Sequence, residues 1–316
     1  MSRAGAGAGV VVVGDVLLDV DVHGTVERLC PDAPVPVLDV AGEVARPGGA
    51  GLAAALLAGS GAATTLVTAL ADDADADRLR GMLAPGLAVV SGPATGGTPV
   101  KCRWRSADGP LLRTDRGSGR PADDFGAAVR TGLRRAILRA GAVLVSDYGR
   151  GVTADPQVRR LLADAVAAGT PVVWDPHPKG SDPVPGVIMT PNAGEAAGAL
   201  GLPGGDPVGC AAELRRRRES RAVVVTRGDR GAVLVTASDR VAVPALDVTG
   251  GDPCGAGDAF AGRLAAALAA GAALRTAVES AVEAAGRFVG AGGAATVRCV
   301  DGRWTQVAAG VTERAS

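Results

Sequence analysis

Residue types with reactive side chains are scarce in this chain. It has two histidines, His23 and His177, and this scarcity argues against a histidine-based metal site or a Ser-His-Asp triad. The cysteines are scattered and show no Cys-x-x-Cys spacing, so we predict reduced thiols, with neither a disulfide framework nor a zinc site. They are Cys30, Cys102, Cys210, Cys254 and Cys299.

The sequence also lacks a charge excess and a long apolar segment. Basic and acidic residues number 33 each, so no global field favours nucleic acid or an anionic membrane, and we expect neither as a partner. The apolar run at residues 10–13 ends at Gly14 and Asp15, which makes it too short for a signal peptide core or a membrane span. We therefore expect a cytoplasmic protein.

Short apolar runs alternate with helix-forming segments along the chain. The run VVVVGD has the pattern of a buried strand, and from residue 122 onward helices and strands alternate. This order predicts an α/β fold, a doubly wound, mostly parallel sheet flanked by helices. Two hairpin-like insertions, at roughly 20–46 and 98–116, predict a small β lid over the carboxyl edge of the sheet. We assign residues 1–316 to a single domain.

Polar residues stand where the predicted strands end, which is where ligands bind in such a sheet. The only asparagine, Asn192, and the only tyrosine, Tyr148, are both among them. When a residue type is rare in a chain and its single copy stands at a predicted ligand site, the residue is a candidate for a chemical role there. The main strand-end residues are Asp15, Asp147, Tyr148, Asp175, Asn192 and Thr226.

The stretch GDPCGAGDAFAG combines a glycine-rich turn with the start of a strong helix former. This places the amides of Gly255, Ala256 and Gly257 at a helix N-terminus, where unpaired N–H groups and the helix dipole favour an anion. Asp258 beside such a site is electrostatically costly, which suggests a base that takes a proton from an attacking hydroxyl. The alternative is an ordinary helix start with an acid in its first turn.

Other phosphate motifs are missing. No Gly-x-x-x-x-Gly-Lys-Ser/Thr sequence occurs, and the glycine-rich residues 5–9 precede a strand, the wrong order for a dinucleotide fingerprint. We interpret residues 5–9 as a disordered tail.

The motifs together resemble one family. GGAGLAAA, DP with a following lysine, TPNAGE, VVTRGDRGAVL and GAGDAFAG occur in the order and spacing of the ribokinase-like (PfkB) carbohydrate kinases. VVGDVLLDVDVHGTVERLCPDAPVPVLDVAGEVARPGGAG and VSDYGRG are most similar to the kinase domain of heptose-7-phosphate kinases. The resemblance implies a ribokinase-like fold, ATP and Mg²⁺ as cofactors, and phosphorylation of the anomeric hydroxyl of a heptose 7-phosphate to a heptose 1,7-bisphosphate.

The resemblance also implies roles for individual residues. Asp258 would be the catalytic base, and the amides of Gly255, Ala256 and Gly257 would stabilise the transferred phosphoryl group. Asn192 and Glu195 match an Asn-x-x-Glu element that helps hold Mg²⁺ and phosphates, partly through water. The sugar side would include Asp15, Gly48, Gly49, Asp147 and Lys179. The nucleotide side would include Asn192, Glu195, Thr226, Gly228 and Gly231.

Three cations lie in the second lid segment. Lys101 and Arg103 alternate, so one strand face can present both, and Arg113 follows in the next predicted strand. We predict that the three bind the distal phosphate of a sugar phosphate; the alternative is an edge strand blunted by solvated charge. The family resemblance also implies a homodimer formed through the lid.

The sequence departs from the family at several places. Leu52 stands where the family usually has an asparagine, and an apolar side chain cannot hydrogen-bond a sugar hydroxyl. His177 and Pro178 are inserted before Lys179, and DPC replaces the usual Asp-x-Thr before Gly255. Bifunctional relatives continue into a nucleotidyltransferase domain with a His-x-Gly-His signature, which is missing here, so we expect that step on a separate protein.

Two other functions stay open at this point. One is the same chemistry on another sugar, sugar phosphate or nucleoside. The other is a sugar- or nucleotide-binding homologue without catalysis.

Overall fold

The computed structural model describes residues 9–307. Residues 5–8 of the predicted tail, and both ends of the predicted 1–316 domain, lie outside the described residues. Strands in the described range are β1 (Gly9–Gly14), β2 (Val16–Leu29), β3 (Pro36–Gly49), β4 (Thr64–Leu70), β5 (Ala88–Thr95), β6 (Val100–Ser106), β7 (Gly109–Arg116), β8 (Arg120–Pro121), β9 (Ala140–Ser146), β10 (Val172–Asp175), β11 (Ile188–Met189), β12 (Ala222–Thr226), β13 (Ala232–Val235), β14 (Arg240–Val243), β15 (Val297–Val300) and β16 (Arg303–Gln306). Its α-helices are α1 (Ala50–Gly59), α2 (Ala74–Leu83), α3 (Phe125–Ile137), α4 (Pro156–Ala167), α5 (Ala193–Leu200), α6 (Pro207–Arg217), α7 (Ala256–Ala269) and α8 (Leu274–Gly290).

The main sheet has the order β14-β13-β12-β11-β10-β9-β1-β4-β5-β8. Neighbours from β12 across to β5 pair in parallel, whereas β13, β14 and β8 pair antiparallel at the two edges. The sequence prediction of a doubly wound, mostly parallel sheet is therefore confirmed. Because a parallel sheet is covered by helices on both faces, its central strands are runs of buried, mainly apolar residues, many of them valine.

Alternate residues of β1 feed two separate apolar cores. Val10 and Val12 pack with α1, α7 and α8 on one face, and Val11 and Val13 pack with α3, α4 and α6 on the other. Each fully buried valine stabilises the fold by about 1.5–3 kcal/mol relative to an exposed one. Within the described residues no helix is both long and apolar enough to cross a membrane.

A second sheet, the lid sheet, has the order β3-β2-β6-β7. It contains the predicted lid segments, and β2 and β3 run back into the main body until Val16 pairs with Gly49. One face carries apolar side chains such as Val20 and Trp104, which pack against the core. The opposite face carries Asp19 and Asp21 of β2 beside the basic residues of β6, because those positions share a register.

Several helices and strands were not predicted from the sequence. Helix α2 is short and mostly polar, and it begins where the Asp73 side chain accepts the Ala76 N–H at 2.8 Å. The antiparallel pair of β15 and β16 forms a separate hairpin whose Trp304 is buried against α1. These segments lack a clear apolar period, so only tertiary packing identifies them.

Candidate active site

The candidate site is an open cleft of about 550 Å³ at the carboxyl edge of the main sheet. It lies where the strand-end rule predicts, and it brings together residues from the carboxyl ends of four strands and the start of α7. Its lining includes Asp147, Tyr148, Asp175, Asn192, Glu195, Thr226, Gly255, Gly257 and Asp258.

The glycine turn is the N-terminus of α7. Gly255 precedes the helix with φ 82°, a left-handed conformation that a residue with a side chain rarely adopts. The Ala256 N–H already donates to the Pro253 carbonyl oxygen at 3.0 Å, whereas Gly255 and Gly257 line the cleft. The turn thus presents backbone and the positive end of the helix dipole to an anion.

Asp258 lies in the first turn of α7 with only 5% of its surface exposed. The Tyr148 hydroxyl donates to its carboxyl group, with O–O distances of 3.0 and 2.9 Å to the two oxygens. Burial raises the pKa of Asp258 to about 7, while the hydrogen bond from Tyr148 and the charge of Lys101 act in the opposite direction. A base with a pKa near neutrality is suited to accept a proton at physiological pH.

Asp15 follows β1 and organises the neighbouring loop. Its carboxylate accepts the backbone N–H groups of Tyr148, Arg150 and Val152, each at 3.0 Å. Burial raises the pKa of Asp15, and these amide contacts lower it. The predicted role of Asp15 in holding a sugar hydroxyl stays a prediction, since three of its acceptor positions serve the protein itself.

The glycine pair before α1 makes room at the same place. Gly49 has φ 61°, and a Cβ there would lie 3.3 Å from the Tyr148 ring. A side chain on Gly48 would collide with Asp19 and Leu17. Both glycines therefore allow the lid strands to approach the cleft closely.

Asp147 and Lys179 differ in their placement. The Asp147 carboxylate is buried and accepts the Gly149 N–H at 2.8 Å, the Thr153 hydroxyl at 2.7 Å and the Ser181 N–H at 2.9 Å. Lys179 is exposed, and its N–H donates to His177 Nδ1 at 3.1 Å. The inserted His177 thus enters the cleft wall, while the lysine stands outside it.

The nucleotide-side motif begins α5. The Asn192 side chain accepts the Glu195 N–H, and Glu195 Oε2 accepts the Asn192 N–H, both at 2.9 Å. This capping box satisfies both backbone donors and leaves Glu195 Oε1 for other partners. Burial raises the pKa of Glu195, and the contacts with Asn192 lower it.

Thr226, Gly228 and Gly231 lie on the loop after β12. Thr226 and Asn192 form an isolated parallel β-bridge through their backbones, so the two predicted nucleotide elements are neighbours. Gly228 and Gly231 have φ 60° and 76°, and a side chain on Gly231 would collide with the backbone near Val243. The loop therefore needs glycine at both positions.

The three predicted phosphate-binding cations lie on one face of the lid sheet. Lys101 Nζ is 5.3 Å from the centroid of the Tyr148 ring, at the cleft. Arg103 donates to Asp19 at 2.6 Å. Arg113 pairs with Asp115 at 2.8 Å and is more than half exposed. Lys101 is the cation of this set that lies against the cleft wall.

Comparison with known proteins decides the family. Residues 160–299 match the profile of the pfkB family carbohydrate kinases. The bifunctional protein HldE of Streptomyces coelicolor is 48% identical over 294 residues, which cover 91% of this chain and 61% of that protein. Residues 160–299 therefore belong to the pfkB family of carbohydrate kinases. The predicted resemblance is confirmed.

A further relative and two solved structures are also similar to this chain. The bifunctional protein HldE of Acidiphilium cryptum is 37% identical, with 94% of this chain and 63% of that protein covered. The chain thus spans about three fifths of the length of these relatives. Phosphofructokinase-2 from Escherichia coli superposes with a TM-score of 0.70 at 18% identity, covering 90% of this chain and 94% of that one. Arabidopsis thaliana ribokinase, complexed with ribose and ATP, superposes with a TM-score of 0.68 at 20% identity, covering 90% of this chain and 93% of that one.

The packing in this structure accounts for Leu52, where the resemblance predicts an asparagine. Leu52 is 3% exposed and belongs to an apolar cluster with Phe288 and Trp304. A Cβ on Gly255 would lie 2.9 Å from Leu52 Cδ2, so this side chain supports the anion turn from behind. It does not face the cleft.

Several residues in or near the cleft had no function predicted from the sequence. Tyr148 and Asp175 were noted only as strand-end residues, yet both lie half-buried in the cleft wall. Burial, with the nearby Asp258 charge, raises the pKa of Asp175 well above its ordinary value, although Thr190 donates a hydrogen bond to it. Asp19 carried no signal besides its alternation with Asp21 along β2.

Proposed function

We propose that this chain is an ATP-dependent sugar kinase that phosphorylates the anomeric hydroxyl of a heptose 7-phosphate, giving a heptose 1,7-bisphosphate. The observation that carries the proposal is the buried Asp258, with a pKa of about 7, beside the glycine turn at the N-terminus of α7. Similarity to HldE proteins over most of the chain supports the substrate class.

The reaction needs a proton acceptor and stabilisation of charge. Asp258 takes the proton of the anomeric hydroxyl while that oxygen bonds to the γ-phosphorus of ATP and the bond to the β-phosphate oxygen breaks, releasing ADP. Backbone N–H groups of Gly255 and Gly257, which line the cleft, would stabilise the charge on the γ-phosphoryl oxygens. The helix dipole of α7 would add to this stabilisation, because its positive end faces the cleft.

The oxygen donors of the cleft fit Mg²⁺. Glu195 Oε1, the Asn192 side chain and the phosphates of the nucleotide would hold the ion, partly through water, and the ion would neutralise phosphate charge. Among residues 9–307 no group of three or more His, Cys, Asp or Glu side chains converges on one point. That arrangement suits an ion held largely by substrate phosphates.

The distal phosphate of the sugar would lie under the lid sheet. Lys101 faces the cleft and is the first contact, with Arg103 beside it and Arg113 at the rim. Asp15, Asp147 and the glycine pair would orient the sugar ring between the lid and α7. Lys179, outside the wall, would reach the sugar only by moving inward.

The lid sheet is also the proposed dimer interface. Large apolar side chains at its far end are exposed: Leu29, Val35, Val40 and Leu112 are each more than half exposed. A second copy covering them would bury apolar surface that a monomer leaves in water. Use of ATP fits the predicted cytoplasmic location.

ADP release over a panel of acceptors tests the proposed function. The panel contains heptose 7-phosphate, heptose, fructose 6-phosphate, ribose and adenosine, each with ATP and Mg²⁺. We expect the highest kcat/KM with heptose 7-phosphate and formation of a 1,7-bisphosphate by mass and ³¹P spectra. A preference for another acceptor would favour the alternative kinase, whereas tight binding without any turnover would indicate a binding protein.

A further inference from the structure

Tyr148 makes a contact that the family resemblance does not assign. It is the only tyrosine of the chain, and its hydroxyl lies 3.0 and 2.9 Å from the two oxygens of Asp258. Burial and the neighbouring carboxylates raise the pKa of Tyr148 well above its ordinary value. The phenol is therefore protonated at neutral pH, and it acts as the donor.

The protein fixes this phenol from its own backbone outward. The Tyr148 N–H donates to Asp15 at 3.0 Å, and Asp15 also anchors the next turn through Arg150 and Val152. Gly49 leaves the space in which the ring lies, because a Cβ there would be 3.3 Å from it. Gly49 thus leaves room for the tyrosine ring.

The faces of the ring are occupied as well. Lys101 Nζ lies 5.3 Å from its centroid, a cation–π contact from the lid sheet. The His177 ring is stacked at 6.2 Å with an interplanar angle of 25°. The ring is thus confined between the lid sheet and the loop after β10, with its hydroxyl directed at Asp258.

We propose that Tyr148 is a positioning residue that holds the Asp258 carboxylate in its proton-accepting form and orientation. A buried carboxylate without donors is unstable, and a hydrogen bond to the charged form stabilises it. Since Tyr148 touches both oxygens, it also restricts rotation of the carboxyl group. The proposal rests on the proposed function, because it assigns the tyrosine a task in that reaction.

Other charges around the pair define the expected direction of change. Asp19 raises the pKa of Asp258 and Lys101 lowers it, and both stay in place when only the phenol oxygen is removed. The charged or titratable groups around the pair are Asp15, Asp19, Lys101, Asp147, Asp175 and His177. Loss of the Tyr148 hydroxyl must therefore raise the pKa of Asp258.

The test is Tyr148→Phe, read first without turnover. Infrared difference spectra of the full chain follow the carboxylic acid band of Asp258 from pH 5 to pH 9, and Asp258→Asn identifies that band. We expect its midpoint to rise by about one pH unit, the effect of losing one hydrogen bond to a charged group. A midpoint within about 0.3 unit of the wild type would overturn the proposal.

Kinetics supply a second readout. With a pKa one unit higher, kcat at pH 7 falls about fivefold and approaches the wild-type value at pH 9, with little change in the KM for ATP. Equal loss at every pH would indicate a merely structural role and overturn the proposal. Thr153→Val is the matched control, since it removes a hydroxyl from the same loop that bonds Asp147 instead of Asp258. Its Asp258 midpoint should stay unchanged.

The two hypotheses fail separately. A shifted infrared midpoint in a protein that phosphorylates no acceptor would keep the tyrosine–aspartate coupling and reject the kinase. Turnover of a sugar phosphate with an unshifted midpoint would keep the kinase and reject the tyrosine–aspartate coupling.

Discussion

Leu52 packs behind Gly255, so an apolar side chain supports the turn that faces the cleft. A Cβ on Gly255 would lie 2.9 Å from Leu52 Cδ2, and Phe288 and Trp304 complete the cluster. The family resemblance predicts an asparagine at this position. In this chain the residue belongs to the core, where its volume determines how firmly α7 begins.

Truncation of Leu52 should therefore cost stability. Leu52→Ala removes buried methyl groups and leaves a cavity, so we expect the free energy of unfolding to fall by about 2–5 kcal/mol in urea titrations. Leu138→Ala, at a position 64% exposed, is the matched control and should change it by less than about 0.5 kcal/mol. Unchanged stability with a raised KM for the sugar would instead place Leu52 in the substrate site.

The proposed base can be tested by an isosteric change. Asp258→Asn keeps the shape and can still accept the Tyr148 hydroxyl, but it cannot take a proton. We expect kcat to fall by about 10²–10⁴, with a small change in the affinity for ATP measured by calorimetry. Asp164→Asn on the exposed side of α4 serves as a control for the loss of one charge. A variant that keeps more than about a tenth of the wild-type kcat would contradict the role.

Much of the fold follows from local patterns. Valine runs predict the central strands, and the alanine-rich segment after Gly255 predicts α7 to within a residue. Helix α2 and the β15–β16 hairpin were missed because they lack a strong period and depend on packing against α1 and the lid sheet. The length of β2 was also underestimated, since it continues from the core into the lid as one strand.

The site was predictable only in part. The strand-end rule and the glycine turn placed Asp258, Asn192 and Thr226 at one cleft, because parallel strands end at the same edge. The contact of Tyr148 with Asp258 joins residues 110 positions apart, so no local pattern contains it. The pairing of Arg103 with Asp19 likewise depends on the register of β2 and β6.

Phosphate binding by the lid predicts a selective change in KM. Lys101→Met keeps the side-chain length and removes the charge at the cleft, so the KM for heptose 7-phosphate should rise about 10- to 100-fold. The KM for ATP should change less than about twofold. Arg103→Met should act in the same direction, although it also leaves the buried Asp19 without its partner.

The control for this prediction is Arg116→Met. Arg116 lies on the same lid sheet but pairs with Asp75, and its side chain is 61% exposed. It should leave both KM values unchanged. If Lys101→Met raised the KM for heptose 7-phosphate and the KM for ATP equally, the assignment of Lys101 to the sugar phosphate site would be wrong.

The buried base also predicts how stability depends on pH. The native pKa of Asp258 is about 7 and its ordinary value is 3.8, so between these values the native state binds a proton that the unfolded chain has released. Stability therefore decreases as the pH rises from about 4 to about 7. Asparagine at this position cannot ionise and lacks this loss.

Asp258→Asn should thus be more stable than the wild type at pH 8, and this advantage should be smaller at pH 5. From the linkage relation, its advantage in the free energy of unfolding should grow by about 2–3 kcal/mol between these pH values, measured in urea at each pH. Asp15 and Glu195 also have raised pKa values, but they are present in both proteins and cancel in the difference. The pKa of Asp175 is raised in part by the Asp258 charge, so it lies closer to its ordinary value in the variant, and this change acts in the same direction. An advantage that does not change with pH would mean that Asp258 is ionised throughout this range, and the assignment of a near-neutral base would then be wrong.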